Sequence, residues 1–198
     1  RVSDAKYFEE ISKTNTDVKT LNSSLKYSYE DKDKNLSLAV LTEDRQLVNG
    51  GTLEYTRALE GSVSKTLNAD QKMPIQVDLV STRFVHDTAT KESGTRTHGN
   101  LGISRKLNIS YPIVTPSASV AITNYSLKNS PNINRTVLGS GVNVDFTVNN
   151  ETNIFGYKVN HQISPIISYN YRAKTVQGNI PIFDSTDKYD DIISFADL

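Results

Sequence analysis

Apolar and polar residues alternate one for one along most of this chain, with almost no helical periodicity. A two-residue period commits a segment to the β-strand, because successive side chains leave a strand on opposite faces. From Leu21 to Tyr29 the odd positions are Leu21, Ser23, Leu25, Tyr27 and Tyr29, while Asn22, Ser24, Lys26 and Ser28 fill the other face. The charged cluster Glu30-Asp31-Lys32-Asp33-Lys34-Asn35 then makes a turn, and Leu36-Ser37-Leu38-Ala39-Val40 resumes the alternation, which reads as a hairpin. Over residues 95–111, Leu101, Ile103, Leu107, Ile109 and Tyr111 share a face broken only by Arg105. Arg96, His98, Asn100, Ser104, Lys106, Asn108 and Ser110 share the other. At ~3.3 Å per residue an unbroken strand there exceeds roughly 50 Å; a bend at Gly102 or Asn108 would shorten it.

Further strands are predicted at Ile75–His86, Ala118–Leu127, Thr136–Val148, Thr152–Ser164 and Ile166–Lys174, with a weaker run at Leu53–Leu59. Turn signals separate them at Asn49-Gly50-Gly51, Lys91-Glu92-Ser93-Gly94, Asn129-Ser130-Pro131-Asn132 and Asn149-Asn150. Only Tyr7–Ile11 suggests a helical turn. The expected fold is all-β, an antiparallel meander of about nine or ten strands at hairpin spacing.

Two architectures accept such a pattern, a transmembrane barrel wall and a soluble sandwich of the adhesin or phage type. Hydrophobic residues make up 36%, few for a packed core but enough for a barrel that needs one apolar face and keeps a wet lumen. Tyr27, Tyr29, Phe84, Tyr111, Tyr125, Tyr169 and Tyr171 fall near predicted strand ends, as aromatic girdles require. Against this, Ser23, Thr95, Thr97 and Arg105 interrupt the apolar faces. No stretch is long and apolar enough for a membrane helix, so a membrane role must run through strands. Lys plus Arg and Asp plus Glu are both 22, a balance that draws the chain toward no polyanion. The chain has no cysteine, starts at Arg1 without methionine or leader, and stops in mid-pattern, as expected of a piece cut from a longer polypeptide.

Catalytic and metal chemistry find little support. His86, His98 and His161 share no ligand spacing. No nucleophile elbow occurs, and Gly139-Ser140-Gly141 sits inside a predicted strand, where glycines ease a bend or a close approach. The acidic residues Asp31–Asp33 and Asp184–Asp191 cluster in turns, and the second stretch reads as a solvated loop, with Ca²⁺ binding or divalent bridging to phosphates as its sharper alternative. Neither an enzyme nor a cofactor is expected. Arg96, His98, Lys106, Lys158, Asn160 and Gln162 lie on the polar faces of predicted strands and are the candidate lumen-facing residues.

Several motifs carry a family resemblance in order along the chain. The opening Arg1-Val2-Ser3-Asp4-Ala5-Lys6-Tyr7-Phe8 is followed by Met73-Pro74-Ile75-Gln76-Val77, Gly94-Thr95-Arg96-Thr97-His98, Tyr111-Pro112 with Thr115-Pro116, and Asn124-Tyr125-Ser126-Leu127. Pro165 with Tyr169 and Tyr171, then Gln177, Pro181, Phe183, Asp184 and Ser185, complete the series. This order is similar to the barrel domain of the LPS-assembly outer-membrane protein LptD (organic solvent tolerance protein) family. Two departures are a glutamine one residue late after Pro74 and a missing proline near Gly102 or Ile103. Arg1, Asp4, Tyr7, Pro165, Tyr169, Gln177, Pro181, Phe183 and Asp184 are then structural motif residues. The resemblance implies that residues 1–198 are a partial barrel domain in the bacterial outer membrane, inserting lipopolysaccharide into the outer leaflet. It implies an LptE-type lipoprotein in the lumen and a periplasmic transport bridge, reached through an N-terminal domain outside this segment.

Overall fold

The computed structural model describes residues 20–47, 54–86, 88, 91–107, 111–175, 180–187 and 194–196. Its elements are β1 (Thr20–Asp31), β2 (Leu36–Leu47), β3 (Thr56–Leu67), β4 (Ile75–Val85), β5 (Gly94–Ser104), β6 (Ile113–Leu127), β7 (Ile133–Asp145), β8 (Val148–Ile154), β9 (Tyr157–Ile163), β10 (Ile166–Arg172), a 3₁₀ turn at Ser185–Asp187 and β11 (Ser194–Ala196). Nine strands form one antiparallel sheet in the order β1-β2-β3-β4-β5-β6-β7-β10-β11, and β8 pairs with β9 alone. Each strand from β1 to β6 pairs with the next, as a meander of short connections dictates.

The register sorts the side chains onto two unlike faces. Glu60, Thr82, Arg96, Tyr125 and Ile133 lie on one line across β3 to β7. Two residues along, Ser62, Val80, His98, Thr123 and Arg135 form the next line on that face. The buried residues belong to it: Thr82, Phe84, Arg96, Thr123, Tyr125, Arg135 and Val137. We call it the inner face. Leu25, Tyr27, Leu38, Val40, Val63, Val77, Leu79, Leu101, Ile103, Ile122 and Leu138 point the other way and remain exposed, Leu101 at 49% and Leu138 at 58%. No second layer covers them among the described residues. A sandwich would bury that face, so the soluble alternative gives way to a single open sheet with an apolar outside, the form of a barrel-wall segment.

The apolar outer band runs obliquely. In β1 it occupies Leu25, Tyr27 and Tyr29. The register line of Tyr29 passes through Leu38, Val63, Leu79, Gly99 and Ile122 and reaches β7 at the polar Thr136. In β7 the outward apolar residues begin only at Leu138 and continue through Val142 and Val144. A level apolar layer crosses tilted strands at successive heights, and barrel closure requires such a tilt of roughly 35–45°.

Four sequence expectations change. The 95–111 run is not one strand: β5 ends at Ser104, and Leu107 already bridges back to Val114, because the chain must reverse into β6. The 152–164 run is not a wall strand but the turn and second half of a hairpin, β8–β9, whose reversal is at Phe155-Gly156 rather than Asn149-Asn150. The weak 53–59 signal is displaced to β3, where Gly61 and Lys65 on the outer face blunt the alternation. Phe84 and Tyr125 belong to no girdle; both are buried on the inner face. Tyr27, Tyr29, Tyr169 and Tyr171 do face outward, in register with Val40, Leu38, Val142 and Ser140.

Candidate functional site: a loop clamped to the inner face

After β10 the chain returns across the inner face, and residues 180–187 settle on β4 to β7. What holds them is an aromatic seat and a charged clamp. The seat is Phe84 of β4, whose ring stacks on Phe183 at 4.7 Å between centroids and 10° between planes. Tyr55 meets Phe183 edge-on at 5.0 Å, and Tyr125 closes the third side at 6.3 Å. Phe84, Tyr125 and Phe183 form a buried cluster, flanked by Leu127, Ile133 and Ile180. Full burial of an aromatic ring contributes ~1.5–3 kcal/mol, so Phe183 is the apolar anchor of the loop. Gly94 makes room for it: a Cβ there would lie 3.1 Å from Phe183 Cζ and 2.8 Å from the Ser126 carbonyl.

The clamp centres on Asp187, whose side chain is entirely buried. Its Oδ1 accepts from Arg96 Nη1 at 2.9 Å and from the Tyr125 hydroxyl at 2.8 Å. Its Oδ2 accepts from the backbone N–H groups of Phe183 and Asp184 at 2.8 and 3.1 Å. Arg135 Nη1 donates to the Asp187 carbonyl at 3.1 Å. A buried carboxylate is costly unless paired and fully hydrogen-bonded, and both conditions are met. Arg96 also donates to both Asp184 oxygens, at 2.7 and 3.1 Å, and to Thr186 Oγ1 at 2.7 Å. Burial works against ionisation of Asp184, but the hydrogen bonds from Arg96 and Thr186 outweigh it and hold its carboxyl below the ordinary 3.8. The Arg96 guanidinium lies 4.9 Å from the Phe84 ring centre and that of Arg135 5.7 Å from Tyr125, so both cations also stack on the seat.

Toward the other strand ends the inner face turns to smaller side chains, with Asp78 and Arg172 as its charges. Asp78 accepts from Ser64 at 2.7 Å, Gln76 at 2.8 Å and Asn100 at 3.4 Å, and His98 shares a 2.8 Å hydrogen bond with Thr123. Beyond them Gly102, Ser104, Ser117, Ser119, Gly139 and Asn170 line a recess of about 440 Å³. Gly139 and Gly141 are the close approach anticipated for the glycine pair: added Cβ atoms would lie 2.6 Å from Ser119 Oγ and from Asn170 Oδ1.

The residues singled out from sequence are scattered over this architecture. Arg96 and His98 share the inner face of β5, but Arg96 is no solvated lumen cation; it is the buried centre of the clamp. Lys106 lies past the end of β5 and is exposed. Lys158, Asn160 and Gln162 sit on β9, outside the main sheet, and so line no part of its inner face. Pro165 stands between β9 and β10, where its carbonyl accepts from Phe146 N–H at 3.0 Å. Tyr169 faces outward on β10, and Pro181, Phe183 and Asp184 belong to the clamped loop. The solvated or Ca²⁺-binding reading of the acidic stretch fails at Asp184 and Asp187, since arginine occupies the place a cation would take. Arg1, Asp4, Tyr7 and Gln177 lie outside the described residues, as do the Tyr7–Ile11 segment and residues 188–191. Reading the sequence missed Tyr55, Phe84, Tyr125, Arg135 and Asp187 as site residues. Phase alone distinguished them: Phe84 and Tyr125 each fall in step with a threonine of the polar face.

The family model described as LptD: LPS transport system D matches residues 1–195. No curated protein matches the chain.

Proposed function

This chain belongs to the LptD family of LPS transport, a role exercised at the outer membrane, and on that footing we propose that its sheet is wall and lining of the channel that inserts lipopolysaccharide into the outer leaflet. The observation that carries this reading is the division of one sheet into an exposed apolar face and a polar face of hydroxyls, amides and buried arginines. The apolar face meets lipid, which has no hydrogen bonds to offer. The polar face can solvate a sugar and phosphate head group while its acyl chains cross the layer. The clamped loop narrows the passage over β4 to β7, and the recess lined by Ser104, Ser117 and Ser119 keeps it open at the other end. No bond needs to be made or broken, so the protein acts without catalysis or cofactor. An LptE-type lipoprotein within the lumen and a periplasmic bridge delivering the lipid are the partners this role calls for.

The test is residue-by-residue accessibility of spin labels along β5 in a bilayer. Labels at Leu101 and Ile103 should report lipid, and labels at Asn100 and Gly102 should report water. Labels at Leu101 and Ile103 shielded from both phases would mean that a protein layer covers the outer face, and the channel reading would fall.

A further inference from the structure

Among the described residues the hairpin β8–β9 packs on no other element, and a lone two-stranded hairpin is marginal in water. Its register nevertheless continues that of the wall. Val148 opposes Ile163 as a three-residue extension of the Asp145–Ile166 pairing demands, with Phe146 N–H to Pro165 carbonyl bonding in between. The outward phase therefore carries over. Val142, Val144 and Phe146 lead to Val148, Thr152 and Ile154 on one strand, and Tyr157, Val159 and Ile163 lead to Ile167 and Tyr169 on the other, with the Asn150–His161 pair as the one polar break in the column. The opposite phase is polar: Asn149, Glu151 and Asn153 face Gln162, Asn160 and Lys158.

The tip is stranger still. Phe155 and Gly156 form a two-residue turn with φ of 51° and 84°. Such turns favour Asn-Gly, since a bulky side chain resists positive φ. A phenylalanine stands there instead, 96% exposed, beside a tyrosine 77% exposed. Folding of the hairpin explains neither.

We propose that β8–β9 is a membrane-surface anchor, leaning outward at the interruption around Phe146 and Pro165 so that Ile154, Phe155 and Tyr157 enter the boundary between lipid head groups and acyl chains. The occupant of this apolar side is the lipid that already covers the outer face, because the two surfaces are one column in one register. Aromatic rings prefer that boundary, Lys158 beside the tip reaches lipid phosphate, and the polar side stays in water. The inference rests on the membrane-wall reading above, and its test separates the two.

Residues 1–198 hold no tryptophan, so one introduced there reports on its own position once any tryptophan outside them is replaced by phenylalanine. Phe155→Trp and, separately, Leu101→Trp are placed in the full protein in phosphatidylcholine vesicles carrying bromine at shallow or deep acyl positions. Phe155→Trp should emit blue-shifted light and be quenched more by shallow than by deep bromines; Leu101→Trp should be quenched more by deep ones. Quenching at Leu101 with water-like emission at Phe155 overturns the anchor and leaves the wall standing. A blue shift at Phe155 without quenching means a protein contact, which also overturns it. Absence of quenching at both positions removes the wall and the anchor together.

Discussion

Asp187→Asn isolates the charge at the centre of the clamp while keeping its size. The carboxylate accepts four hydrogen bonds, two from Arg96 and Tyr125 and two from backbone N–H groups, at 2.8 to 3.1 Å. An asparagine has a single acceptor oxygen, and its NH₂ must turn toward one of these donor pairs. Hydrogen bonds to a buried charge contribute ~1.5–3 kcal/mol each, and breaking a buried pair costs ~3–5 kcal/mol. Arg96 retains Asp184, which places the loss near the lower bound, about 3 kcal/mol of loop docking, or roughly 100-fold in the docking equilibrium. Hydrogen exchange at the Phe183 and Asp184 amides should accelerate by that factor, with the strand amides of β5 and β6 unchanged. Asp184→Asn is the comparison. Its side chain is 29% exposed, so water replaces part of what is lost, and the expected cost is about 1 kcal/mol, roughly 5-fold. If Asp184→Asn accelerates exchange as much as Asp187→Asn, or if Asp187→Asn changes it less than about 3-fold, the carboxylate of Asp187 is not what holds the loop.

Three further outcomes are expected. Gly94→Ala should destabilise the folded protein by ~1–3 kcal/mol and loosen the loop, since the new methyl meets Phe183 and the Ser126 carbonyl; a lower unfolding temperature and raised exchange at Phe183 are the readouts. Acid should weaken the hold of Asp184 on the loop only below the ordinary carboxylate value: Asp184 titrates below 3.8 when docked, so its contribution is complete above that value and is lost as pH falls through the docked one. Fluorescence anisotropy of a dye on Ser185→Cys, in a chain without other cysteines, should stay constant from neutral pH to about pH 4 and drop below it. Leu101→Arg should cost ~2–4 kcal/mol of membrane insertion, measured by refolding into bilayers, while Asn100→Arg on the inner face should cost far less.

Alternation was enough to locate most of the wall, because the side-chain phase of a strand is a local property. β1, β4 and β10 begin and end close to where Leu21–Tyr29, Ile75–His86 and Ile166–Lys174 place them, while β2 begins with Leu36–Val40 but runs on to Leu47. Reversals were harder to read. Phe155 occupies a turn position that composition assigns to asparagine, and Asn149-Asn150 lies within a strand. The clamp was legible only in fragments. Arg96 and Asp184 could each be named, but nothing in the local pattern joins residues 88 apart. Only the register does so, by lining up Arg96 with Tyr125 beneath the returning chain.

That returning chain touches β4 through Phe84, β5 through Arg96, β6 through Tyr125 and β7 through Arg135. It therefore acts as a tie rod across the hollow of the sheet. Four neighbouring strands held to one short segment keep a fixed arc, and widening that arc would pull at least one of them away from the rod. The curvature of the sheet across these four strands is thus held by the buried Asp187, its neighbour Asp184 and the Phe183 ring, and can change only as these contacts let go.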